Sequence, residues 1–61
     1  MRENPYDVNA ALLLARLAMM ANCYEDARVI LEKIIAREPS FIAAWHDLGT
    51  VLKELHYYLS L

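Results

Sequence analysis

The stretch Trp45-His46-Asp47-Leu48-Gly49-Thr50-Val51-Leu52 decides how this chain folds. Its large apolar residues recur at spacings of three and four, the period of one helix face, with the small residue Gly49 set among them. The same pattern stands 34 residues earlier in Ala11-Leu12-Leu13-Leu14-Ala15-Arg16-Leu17-Ala18. That shift lays Pro5 on Pro39, Val8 on Ile42, Ala10 on Ala44, Leu14 on Leu48, Ala15 on Gly49, Leu17 on Val51 and Tyr24 on Tyr58. A self-match at one offset of this size marks an array of helical units, each burying its apolar face against the next.

Outward from this core, the punctuation predicts three helices. Val8 to Ala21 contains no Gly or Pro and many strong helix formers, so a first helix is expected over about 7–22, capped by Asp7 and ending near Asn22 and Cys23. A second is expected over 24–37, with Glu25 and Asp26 in its first turn and Pro39 just beyond its end. It aligns Tyr24, Ala27, Leu31 and Ile34 on one face and Glu25, Arg28, Glu32 and Lys33 on a charge-paired surface. A third is expected over 41–56, capped by Ser40, with Ile42, Trp45, Leu48, Val51, Leu52 and Leu55 buried. His56 to Leu61 reads as the start of a further helix. No segment alternates with period two, so the fold class is all-α: one domain over 1–61, an antiparallel helix-turn-helix hairpin with a third helix.

A period of 34 with two helices per unit resembles the tetratricopeptide repeat. The family pattern W-x2-L-G-x2-Y, A-x3-F, P is carried by Trp45-x2-Leu48-Gly49-x2-Leu52 in the later copy. In the earlier copy it runs Ala11-x2-Leu14-Ala15-x2-Ala18, Ala27-x3-Leu31, Pro39. The chain departs from the pattern in side-chain size, with Ala11 in place of Trp, Ala18 and Leu52 in place of Tyr, and Leu31 in place of Phe. The resemblance implies one full repeat plus the first helix of the next, a fragment of an α-solenoid. It implies that Ala15, Ala27 and Gly49 sit at close helix crossings and that Pro39 stops the second helix. Leu14, Leu31, Trp45, Leu48 and Leu52 fill the space beside them.

The same resemblance implies a peptide-binding groove on the face shared by first helices, here Asn9, Leu12, Arg16, Met19 and Met20 with Ala43, His46, Thr50, Lys53 and Glu54. The carboxylate-clamp pattern found in part of the family is not matched at Leu12, Arg16 and Asp47. Leu12, Leu13, Met19 and Met20 leave the first helix apolar nearly all round, which suits either a missing neighbour or an adaptable groove for an apolar peptide helix.

Composition narrows the function classes. The chain has 61 residues, 59% of them hydrophobic, with a net charge of −2 and a single Cys. No disordered charged tail, disulfide scaffold or basic nucleic-acid surface fits these values. Ala10 to Ala21, the longest apolar run, is too short for a bilayer and carries Arg16 at its middle. A soluble, cytoplasmic protein with Cys23 reduced is expected, with no membrane or nucleic-acid partner. His46 and His56 lie apart on their helix and suggest no metal; Cys23 reads as an inert, at least half-buried thiol, and Asp47 and Glu54 as solvated. No catalytic residues, cofactor or metal are expected.

The expected function is a non-catalytic protein–protein interaction module for a protein or peptide partner. A chain this small gains little from burial beyond the cost of ordering it, so a homo-oligomer is expected, through Leu13, Met20, Leu55, Tyr57, Tyr58 and Leu59. Two alternatives stay open: a fragment of the repeat region of a larger enzyme, of glycosyltransferase or sulfotransferase type, and a purely structural self-assembling unit.

Overall fold

The computed structural model describes residues 6–60, and side chains over residues 6–56. Three helices follow in order: α1 Val8–Met20, α2 Tyr24–Arg37 and α3 Ile42–Ser60. No strand occurs among the described residues. α2 lies between the other two and packs along both, whereas α1 and α3 touch over a short stretch only. The result is a slab of 49 × 22 × 13 Å.

Each boundary has a local cause. The Asp7 carboxylate accepts from the Asn9 and Ala10 amides at 3.1 and 3.3 Å, satisfying donors that the first turn of α1 leaves over. α1 ends two residues sooner than the expected 22, because Asn22 takes the left-handed conformation at φ 64. There the Cys23 and Asn22 amides donate to the carbonyls of Ala18 and Met19 at 2.8 and 3.0 Å, the paired closure by which many helices end. α2 opens without a side-chain cap, carries Glu25 and Asp26 at its positive end and Arg37 at its negative end, and closes before Pro39.

Two expectations about α3 change. Ser40 lies in the turn, and the amides of Ala44 and Trp45 donate to the Phe41 carbonyl at 3.1 and 3.5 Å, so Phe41 occupies the position expected for Ser40. The helix also runs four residues past His56, to Ser60, since no Gly or Pro interrupts it there. His56 to Ser60 therefore continues α3 and does not open a new helix. The side chains of Tyr57, Tyr58 and Leu59, expected at an association face, lie outside those described, as do Pro5 and Leu61.

The core is Leu12, Ala15, Ala27, Leu31, Ile34, Ala44 and Val51, drawn from all three helices. Ala15 and Ala27 are fully buried where α1 and α2 lie closest, and two small side chains let the backbones approach. Leu31 and Ile34 are fully buried on α2, while Tyr24 is partly buried at its start. On α3 the buried side is Ala44, Asp47 and Val51, with Leu48 and Leu55 partly buried beside them. The expected stripe splits here: Ile42, Trp45 and Leu52 are 72%, 49% and 46% exposed. They lie on the opposite side of the helix from Val51, and no described element covers that side. Gly49 shares it, and a Cβ built there meets nothing within 4 Å, so no described element makes the close crossing expected at Gly49. For the same reason Leu14, expected to pack within the repeat, is 57% exposed: it points away from α3, where a preceding helix would lie.

The turns are tied to the helices by specific contacts. Trp45 Nε1 donates to the Pro39 carbonyl at 2.7 Å, which fixes the indole across the turn before α3. The Arg37 guanidinium stacks 4.4 Å from the centroid of the Tyr6 ring and holds the segment leading into α1 against the end of α2.

Candidate functional site

α1 and α3 touch over a short stretch, and the residues expected in a groove are spread along these two helices. They do not share one environment. Leu12 is buried and forms part of the core, so it is a floor and not an accessible contact. Met19 and Ala43 are partly buried against that core, and Glu54 is partly buried. Asn9, Arg16, Met20, His46, Thr50 and Lys53 are exposed, Met20 most of all at 80%.

A polar contact joins the two helices. Arg16 Nε donates to Asp47 Oδ2 at 2.7 Å, and Asp47 is 7% exposed, which corrects its reading as a solvated carboxylate. A carboxylate this deep requires a charged partner, because an unpaired one pays the full cost of leaving water. Hydrogen bonding to Asp47, reinforced by its charge, holds the Arg16 guanidinium above its usual pKa, so it stays cationic throughout the accessible range. Only Nε is engaged: the two terminal amino groups of Arg16 make no hydrogen bond among the described residues, and its side chain is half exposed. His46 Nδ1 lies 3.7 Å from Asp47 Oδ1, and the Thr50 hydroxyl donates to the His46 carbonyl at 3.3 Å.

The outward surface of α2 differs in kind. Arg28 bridges Glu25 at 2.9 Å and Glu32 at 3.2 Å, so its charge is answered within its own helix. Those hydrogen bonds also hold the Arg28 guanidinium above its usual pKa.

Two recesses lie outside the expected groove. One, of about 500 Å³, runs between α1 and α2 and is lined by Leu14, Leu17, Ala18, Asp26, Val29 and Ile30. Of these residues, Leu14 was expected in repeat packing, whereas Leu17 entered only through the 34-residue match and Val29 was not singled out; the signal available was the second apolar stripe on α1, Leu13, Leu14 and Leu17, opposite Ala15. The other, of about 320 Å³, is formed by Asn22 to Asp26 with Leu55. Cys23 lies there and is exposed, contrary to its reading as a half-buried thiol, because the closure of α1 turns it outward. Among the described residues no three His, Cys, Asp or Glu side chains gather as a metal site, and no helix is long and apolar enough to cross a membrane.

A helical hairpin with small residues at its crossing, followed by a helix that repeats the first, defines an α-helical repeat protein. The tetratricopeptide repeat family matches residues 1–52, and the chain belongs to that family. No curated protein and no solved structure matches it. Membership makes the chain a repeat module of the protein-interaction type.

Proposed function

We propose that the chain is a non-catalytic, self-associating interaction module that holds an acidic amphipathic segment of a partner protein along the shared face of α1 and α3. The observation that carries this reading is the Arg16–Asp47 pair. A buried carboxylate holds Arg16 by Nε alone and leaves its two terminal donors without a partner among the described residues, and Asn9, His46 and Thr50 on the same two helices are exposed. An oriented guanidinium binds a carboxylate through two parallel hydrogen bonds, and exposed Met20 with partly buried Met19 adapts to apolar side chains alongside. Arg28 of α2 offers less, since it already bridges two carboxylates. A cytoplasmic setting belongs to the same proposal, because an exposed free thiol such as Cys23 suits a reducing compartment.

The test is fluorescence anisotropy with a labelled amphipathic peptide carrying a Glu edge. Arg16→Gln, which sets no second carboxylate against Asp47, should weaken binding far more than Arg28→Gln and Lys33→Glu. Equal losses from the α1 and α2 variants would move the binding surface to the α2 side and refute the assignment.

A further inference from the structure

Self-association, proposed above, leaves open which surfaces meet, and the two uncovered apolar faces answer that question. On α1 the uncovered residues Ala10, Leu13, Leu14 and Leu17 correspond, at the offset of 34, to Ala44, Asp47, Leu48 and Val51 on the packed side of α3. On α3 the uncovered residues Ile42, Trp45, Gly49 and Leu52 correspond to Val8, Ala11, Ala15 and Ala18, which face α2. Each molecule thus carries two different helix-accepting surfaces. The first is the groove lined by Leu14, Leu17 and Val29, and the second is the ridge of Ile42, Trp45 and Leu52.

We infer that the chain assembles head to tail with itself, the α3 ridge of one copy seated in the α1–α2 groove of the next. The reading rests on self-association and adds its geometry. Charge sets the register. Asp26 is the one charged residue lining the groove, Lys53 borders the ridge one residue beyond Leu52, and neither makes an ion pair among the described residues. With Lys53 at the level of Asp26 and Ala18, and α3 parallel to the neighbour's α1, sizes alternate correctly. Gly49 falls opposite Leu14, four residues back on both helices, and Trp45 falls opposite Ala10, eight back. A large side chain meets a small one at both places, as ridge-into-groove packing requires. Two grooves face to face would bring Asp26 no cation from the lining residues. A contact between unlike surfaces does not close on itself as a dimer does, so it adds further copies in line.

The test uses the full chain and two variants at exposed positions, Leu17→Asp in the groove and Leu52→Asp on the ridge, with helicity checked by circular dichroism. In the parent, the sedimentation mass should rise past the dimer with concentration, while emission of Trp45, the single tryptophan, shifts to the blue. Each variant alone should associate at least about tenfold more weakly, the loss expected for a large apolar contact. An equimolar mixture should form a one-to-one complex and stop there, because each partner keeps the one surface that the other lacks. Asp26→Lys and Lys53→Asp should each weaken assembly about two- to fivefold, as exposed ion pairs do, and the double variant should regain it. A monomeric parent would overturn both this inference and the self-association reading. A parent that associates while either Leu variant still associates alone, or while their mixture stays monomeric, overturns the head-to-tail geometry and leaves self-association standing. If a Leu variant loses its helicity, the charge exchange decides: no recovery in the double variant overturns the inference.

Discussion

Replacing Ala27 with Leu tests the packing at its tightest point. Ala27 and Ala15 are both fully buried on facing helices, so three added carbons have no space to enter without forcing α1 and α2 apart. Overpacking of this kind costs about 1–3 kcal/mol. A chain of 61 residues has about 3–9 kcal/mol of stability in total, so the loss is a large share of it. For a domain this small, Tm falls by about 4–8 °C per kcal/mol, giving an expected drop of about 4–24 °C. The assay is thermal unfolding followed by far-UV circular dichroism, with parent and variant at one low concentration so that association does not shift either Tm. Gly49→Ala is the matched control. Gly49 and Ala27 occupy the small positions of the same repeat pattern, yet a Cβ at Gly49 meets nothing within 4 Å. That variant should gain the helix propensity of Ala over Gly, about 1 kcal/mol, and melt about 4–8 °C higher. An Ala27→Leu protein melting at or above the parent, or a Gly49→Ala protein melting below it, would refute the reasoning.

Asp7→Ala removes the acceptor of two amides at the start of α1 and should cost about 0.5–2 kcal/mol, read from urea unfolding; an unchanged midpoint would show that the cap contributes nothing. Asn22→Ala places a residue with a strong preference against positive φ where the closure of α1 needs 64°, and should destabilise by about 1 kcal/mol, whereas Asn22→Gly should not. The comparison of their melting curves decides it.

The helices and their order are legible in the sequence, because helix period, capping residues and Pro or Gly breaks act within a few residues, while the small-residue crossing of α1 with α2 is what the family resemblance implies. The repeat adds the topology, since a 34-residue offset makes α3 a second α1. Periodicity also locates every apolar face, but it does not say which face has a neighbour. Leu14 and Leu48 occupy equivalent positions, yet Leu14 is exposed and Leu48 packs against the core; Ala15 and Gly49 differ in the same way. The difference comes from where α2 lies, between α1 and α3, and the sequence repeat carries no trace of it. The candidate site divides along the same line. Arg16 and Asp47 are 31 residues apart, and nothing local marks one as the partner of the other. Only the contact of α1 with α3 brings the guanidinium to the carboxylate, buries Asp47, and leaves the Arg16 side chain half exposed.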